Sequence, residues 1–192
     1  MDKIKLILAS KSPRRQSLIE EMGFPFEIRI KDVEEIYPPD LESGKVPVFL
    51  AELKSTPLID SLKDGEILIT SDTVVINQGK ILGKPKDKNE AFEMLKSLSG
   101  NSHKVVTGVC MRSLDKTISF AETTIVHFSA LTDVEINFYI DKYQPYDKAG
   151  AYGIQEWIGA IAISKIEGCY YNVMGLPVHK VYRTLQDCFL TK

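Results

Sequence analysis

The chain has 192 residues, 44% of them hydrophobic and 26% charged, and a formal net charge of −2. This is the composition of a globular chain with one substantial core, and it provides no overall basic field to draw the protein to nucleic acid or anionic lipid, so any anion site must be local. Three distant cysteines (Cys110, Cys169, Cys188) without a C-x-x-C, and three histidines without metal-ligand spacing, argue against a disulfide framework or zinc site and for reduced thiols in a cytoplasmic protein.

In chain order, residues 3–9 alternate and then run apolar, which predicts a partly buried strand; "IKLILA" is too short for a signal peptide or a membrane span. A helix follows, with Ser12 at its cap, Pro13 as its first residue, Leu18, Ile19 and Met22 on one face and Gly23 as its stop. "FPFEIRI" (24–30) alternates as a second strand, and the acidic, proline-containing stretch "KDVEEIYPPDLESGK" reads as a loop. A helix from about Pro47 should end or kink at Pro57.

"EILITSDTVVINQGKILGKP" is the strongest strand signal, an apolar run interrupted by Thr70, Ser71, Asp72 and Thr73 before it resumes toward a Gln-Gly turn. "DKNEAFEMLKSLSG" predicts a helix capped by Asp87 and closed by Gly100. Two strands near 102–113 and 117–128 join at "SLDK", and "LTDVEINFYIDKY" opens a helix on a Thr132–Glu135 capping box. After the loop "QPYDKAGAYGIQ", "IGAIAISKI" reads as a buried strand and "GLPVHKVYRTL" as a C-terminal helix. The mixture of crossover helices and a central hairpin predicts one α/β domain with a mixed sheet.

Several residues carry chemistry. Arg14 and Arg15 fall in a first helical turn, where the macrodipole repels them and acidic residues are the norm. A phosphate group cradled by Ser10, Ser12 and the helix N-terminus would explain them; bending back into solvent, or pairing with Glu20, Glu21 or the carboxylates of 32–35, would explain them equally. Asp72 inside an apolar strand needs a partner, which could be a metal, an oriented water or backbone N–H groups. Glu34 and Glu35 are a second carboxylate source or a solvated loop, and Lys54, Lys84 and Lys148 are cations of notable context or ordinary surface lysines. "GKILGKP" lacks the spacing and the Ser/Thr of a P-loop. With no Cys or His placed as a nucleophile, the inventory suits metal-assisted phosphoryl chemistry better than acyl transfer or redox chemistry.

The motifs "LASKSPRRQSL", "TSDTVV", "GKPKDKNEAFEMLKSLSGNSHKVVTGV", "DKAGAYGIQ" and "NVMGLPV", taken in order, resemble the Maf (septum formation inhibitor-like) family of nucleoside triphosphate pyrophosphatases across essentially the whole chain. The resemblance implies an inosine-triphosphatase-like mixed sheet with flanking helices, two lobes around a central cleft, a single domain over 1–192, and a homodimer. It implies hydrolysis between the α and β phosphates with Mg²⁺ or Mn²⁺, and the "GIQ" ending resembles the dTTP/UTP branch rather than the 7-methyl-GTP branch. Matched residue by residue, Asp72 is the proton acceptor, and Arg14, Thr73 and Gln155 select the substrate. Ser10, Arg15, Lys54 and Lys84 contact phosphate, and Glu35 with Asp72 lies near the metal.

Two departures stand out. Ser71 replaces the more usual Ala before the aspartate, and "EWIGAIA" follows "GIQ" where a glycine-rich segment is commoner, so Trp157 could reshape a base pocket or dimer surface. The rival readings are a pyrophosphatase for non-standard purine triphosphates and a nucleotide-sensing protein without turnover in cell division. The net charge argues against a stable nucleic-acid partner, and no segment is long enough for a membrane partner.

Overall fold

Short apolar runs bounded by turn residues form strands here, and segments with caps and 3.6-residue periodicity form helices. The computed structural model describes residues 4–190. In order it contains β1 (Lys5–Leu8), α1 (Pro13–Glu20), β2 (Phe26–Ile28), α2 (Val46–Ser55), β3 (Glu66–Asn77), β4 (Lys80–Leu82) and α3 (Lys88–Leu98). There follow β5 (Ser102–Arg112), β6 (Thr117–Phe128), α4 (Asp133–Tyr143), α5 (Trp157–Ala162), β7 (Ile163–Glu167), α6 (Tyr170–Met174) and α7 (Val178–Thr184). The strands make one sheet in the order β2-β1-β3-β5-β6-β7, with β4 also paired to β3. β1 is parallel to β2 and β3, whereas β4 is antiparallel to β3 and β7 to β6, which makes the mixed α/β architecture that the sequence predicted. No described helix is long and apolar enough to cross a membrane.

The chain divides into two compact units, and the division falls inside β3, β5 and β6. The first comprises Met1–Asp72, Thr107–Glu122 and Gly175–Lys192; the second comprises Thr73–Val106 and Thr123–Met174. In the first unit Ile7, Leu58, Leu62 and Leu68 form one apolar cluster. Arg29, just past β2, clamps the start of β3 by a two-pronged ion pair with Glu66, at 3.0 Å on each arm, and its guanidinium holds the Glu66 carboxyl below the usual carboxylate range.

Helix α2 lies unusually close to the sheet. A Cβ on Gly108 of β5 would fall 2.2 Å from the Pro47 carbonyl carbon and 2.3 Å from Val48 N, so only a glycine lets α2 approach this strand. The second unit is built around Leu95, Leu98, Val126, Ile136 and Tyr139, with α3 and α4 supplying much of it. Both helices are capped as predicted: the Asp87 side chain accepts from Glu90 N–H, and Thr132 and Glu135 complete a reciprocal capping box. His103 is buried there, 2.7 Å from the Tyr152 hydroxyl and edge-on to the Phe128 and Tyr152 rings. Burial pushes its pKa down to about 4, with His127 adding a smaller repulsion.

One expectation needs correction. The run "IGAIAISKI" is not one buried strand: Trp157–Ala162 is helix α5, and β7 begins at Ile163 with Ser164, Lys165 and Glu167 exposed. A short uninterrupted apolar run does not distinguish helix from strand. Pro57 ends α2 as expected: the α-helix stops at Ser55, and Pro57 lies in the first turn of a 3₁₀ segment, Thr56–Ser61, where a missing N–H costs nothing. Helix α6 had no counterpart in the sequence reading, and the strand expected over 3–9 is observed as Lys5–Leu8, with Lys3 outside the described residues.

Two outcomes follow from this packing. Gly108→Ala should lose at least about 3 kcal/mol of unfolding free energy, measured in urea, because the added methyl meets backbone rather than a movable side chain. Because unfolded His103 binds its proton near pH 6.5 and folded His103 only near 4, its contribution is complete above pH 6.5 and is lost as pH falls toward 4. Unfolding free energies from urea titrations at pH 7, 6 and 5 should therefore fall by up to about 1.4 kcal/mol per pH unit, with a shallower fall in His103→Gln.

Candidate active site

Strand β1 delivers the chain to the loop Ala9–Ser12, where the Ser10 hydroxyl accepts Ser12 N–H at 3.2 Å, and α1 then starts at Pro13. The Ser12 side chain makes no cap hydrogen bond, and no acidic residue occupies the first turn, so the positive end of this helix lies at the carboxyl end of a parallel strand. On β3, pairing with β1 ends at Ile69 and pairing with β4 begins at Val75. Asp72 lies between these two registers.

The partner that a half-buried Asp72 requires is Lys54. Its ammonium lies 2.6 Å from Asp72 Oδ1 and 3.1 Å from Glu35 Oε1, and the lysine side chain is only 17% exposed. The alignment has a local cause. Thr70, two residues before Asp72 on the same face of β3, donates its hydroxyl to Ala51 O at 2.6 Å, and Lys54 is one helical turn beyond Ala51. With Gly108 beneath Pro47, α2 meets the sheet closely at its first turn and again at Ala51, which fixes the height at which Lys54 faces Asp72.

Arg15 does not extend along the dipole. Its Nε donates to Gly175 O at 2.8 Å and its Nη1 to Ser71 O at 3.1 Å, which joins α1 to β3 and to the segment before α7. Burial lowers its pKa, offset by the charges of Asp72 and Glu35, with Arg14 adding repulsion. Arg14, Arg15, Glu35 and Asp72 therefore share one electrostatic neighbourhood. The alternative pairings weighed for the arginines resolve in part, since Asp32 is engaged by Lys11 at 2.8 Å and Glu35 by Lys54. Ser71, the unusual residue before Asp72, is buried with its hydroxyl lacking a hydrogen-bond partner.

Thr73, Lys84 and Gln155 belong to the second unit. Thr73 follows Asp72 on β3 and is half-buried, while Lys84 is exposed in the loop after β4. That loop is tied to the "DKAG" segment by Gly150 N–H donating to Gly83 O at 3.0 Å. Within "DKAG" and the following alanine, Gly150 and Ala151 both have left-handed backbone (φ 67° and 60°); for Ala151 this costs on the order of 1 kcal/mol and must be imposed by its surroundings. Lys148 is buried and paired with Asp147 at 2.7 Å and Glu156 at 3.1 Å. Gln155 is exposed on the turn before α5.

The sequence reading missed Thr70, Tyr139 and Glu156. The signal for Thr70 was its place two residues from Asp72 in an otherwise apolar run; Glu156 was visible only as a departure from a glycine-rich pattern, and Tyr139 carried no signal.

The fold defines the class first. It is shared with the solved structure of the Staphylococcus aureus Ham1 protein, with a TM-score of 0.55 at 17% identity, covering 95% of this chain and 98% of that one. The Maf-like protein family model matches residues 5–188, and the chain belongs to the Maf family. Among its relatives is the dTTP/UTP pyrophosphatase of Flavobacterium johnsoniae, 52% identical over 185 residues, 96% of this chain and 95% of that protein. Another is the dTTP/UTP pyrophosphatase of Porphyromonas gingivalis, 49% identical over 190 residues, 97% of this chain and 96% of that protein.

If the Thr70–Ala51 tie sets the Lys54–Asp72 register, Thr70→Val should lose about 1–2 kcal/mol in thermal melts, whereas Thr70→Ser, which keeps the hydroxyl, should stay close to wild type.

Proposed function

We propose that this chain is a nucleoside triphosphate pyrophosphatase that converts dTTP and UTP to their monophosphates and diphosphate, with residues 1–192 acting as one catalytic domain. The observation that carries the reading is the chain's identity of about 50%, over nearly its full length, with dTTP/UTP pyrophosphatases. The charge cluster of the first unit supports it, because phosphoryl transfer is accelerated mainly by positioned groups that offset charge on phosphate oxygens.

In this reading Asp72 orients a water and accepts its proton as the water oxygen bonds to the α-phosphorus. The bond from that phosphorus to the bridging oxygen breaks, and its electron pair leaves with the diphosphate. Arg14, Arg15, Lys54 and Lys84 offset negative charge on the triphosphate, and Ser10 hydrogen-bonds a phosphate oxygen. Thr73 and Gln155, each able to donate and accept hydrogen bonds, read the pyrimidine edge, and Arg14 contributes to substrate choice. An amide that a bound base covers but leaves unpaired costs about 1–3 kcal/mol, which is the scale of discrimination such residues supply.

A divalent cation fits the donor set. Oxygens of Asp72 and Glu35 already converge on one cation, the Lys54 ammonium. Among the described residues no group of three or more His, Cys, Asp or Glu could hold a metal. Two carboxylates completed by phosphate oxygens is the usual way Mg²⁺ is held, so Glu35 and Asp72 would hold Mg²⁺ or Mn²⁺ together with the triphosphate. The ion would supply neutralisation of charge on the phosphoryl oxygens.

Diphosphate release from a panel containing dTTP, UTP, CTP, GTP and 7-methyl-GTP, with and without Mg²⁺, tests the proposal. dTTP and UTP should lead the panel, and Asp72→Asn should reduce kcat by at least about 100-fold. Near-wild-type turnover in that variant would remove Asp72 as the proton acceptor, and preference for a purine would overturn the substrate assignment. Gln155→Ala should narrow the dTTP:GTP ratio of kcat/KM.

A further inference from the structure

Gln155 is exposed, yet the backbone that carries it is tightly held within the second unit. The turn Gly153–Glu156 is closed by Glu156 N–H donating to Gly153 O at 3.0 Å. One hydroxyl then engages both ends of that turn: Tyr139 OH accepts Gly153 N–H at 3.1 Å and donates to Glu156 Oε2. The other carboxylate oxygen, Oε1, takes the buried Lys148 ammonium at 3.1 Å. Tyr139 is fully buried in α4 and stacked on Tyr143 at 5.1 Å, so its hydroxyl projects from a rigid support. Burial and the neighbouring carboxylate raise its pKa, which keeps the phenol protonated and able to donate.

Gly153 shows how closely these parts fit. A Cβ there would lie 2.9 Å from Glu156 Cδ and 3.1 Å from Lys148 Cε, so any side chain would require the carboxylate and the lysine stem to shift. Nothing in the chemistry proposed for Asp72 uses Tyr139, Glu156 or Lys148. Their shared consequence is the position of the two residues between the ends of the turn, Ile154 and Gln155.

We propose that Glu156, joined to Tyr139 and Lys148, is a positioning residue that orients Gln155 and thereby sets the enzyme's discrimination between bases. This rests on the reading of Gln155 as a base-selecting residue. A glutamine on a loose turn would lose conformational freedom each time it engaged a base, and its amide could present oxygen or nitrogen indifferently. A turn fixed at both ends removes the backbone share of that loss beforehand and fixes the direction in which the Gln155 side chain leaves it. Loosening it should weaken binding of the preferred pyrimidines while the step at the α-phosphorus, served by other residues, changes less.

Tyr139→Phe removes the hydroxyl and keeps the ring; Glu156→Gln keeps the shape and removes the charge. Steady-state kcat and KM for dTTP, UTP and GTP would be measured for both, for Gln155→Ala, and for Tyr139→Phe combined with Gln155→Ala, with a thermal melt of each. Tyr139→Phe and Glu156→Gln should raise KM for dTTP and UTP about tenfold, the loss of roughly one hydrogen bond, with a smaller change in kcat and a narrowed dTTP:GTP ratio. In the double variant the ratio should match that of Gln155→Ala alone. If Gln155→Ala changes the ratio while Tyr139→Phe and Glu156→Gln leave it intact, whatever their melting temperatures, the positioning role is overturned and the Gln155 reading survives. If Gln155→Ala itself leaves the ratio unchanged, the Gln155 reading fails and takes the positioning role with it.

Discussion

The first unit is arranged so that one ammonium group is held between two carboxylates. Lys54 can compensate Asp72 and Glu35 only because α2 lies at one height against β3, and that height follows from the hydroxyl of Thr70 and the bare backbone of Gly108. The ordering of causes matters. An ion pair between flexible surface chains contributes little, but a partly buried pair whose supports are rigid is strongly disfavoured to break, because breaking it strands a charge away from water. The acidic loop is drawn in by the same cation: Glu35, more than half exposed, reaches the site through Lys54 rather than through any helix or strand of its own.

The second unit uses different means. It has few charges inside, and its order comes from hydroxyl, imidazole and aromatic contacts around a largely apolar core, as in the group formed by His103, Tyr152 and Phe128. Its buried ion pair, Lys148 with Glu156, is completed by Tyr139, so the carboxylate has partners on both oxygens. Full satisfaction of this kind makes a buried charged group compatible with a stable fold. The left-handed Ala151 sits two residues from the turn that the pair supports, strain that the surrounding bonds must hold in place.

What could be read from the sequence was what depends on near neighbours. Helices α1, α3 and α4 and the long strand β3 were legible because a cap, a stripe or an alternation lies within a dozen residues. The motif residues Ser10, Arg14, Arg15 and Asp72 were legible as chemically odd for their positions. Their partners were not: Lys54 is 18 residues from Asp72, and Gly175 is 160 residues from the Arg15 that binds its carbonyl. No local rule connects such pairs, since they exist only after α2 docks and the segment before α7 returns to β3. Helix α5 was misread for the opposite reason, a composition equally compatible with two local structures, which Glu156 as its N-cap residue and the exposed side chains of β7 resolve.

The sheet's borders have a consequence for how this chain meets others. At one end the order closes with β2, three residues long; at the other with β7, five residues whose Lys165 and Glu167 face water; and β4, appended to β3, is again only three residues. Short or charged border strands are poor templates for a neighbour's backbone, because too few consecutive N–H and C=O groups are offered in register. Growth of the sheet from molecule to molecule is thereby discouraged at each border, and the long central strands that most favour amyloid-like stacking are kept inside. Association with another protein is left to side-chain surfaces such as that of the exposed Phe138, whose ring meets the half-buried Trp157 edge to face at 5.0 Å.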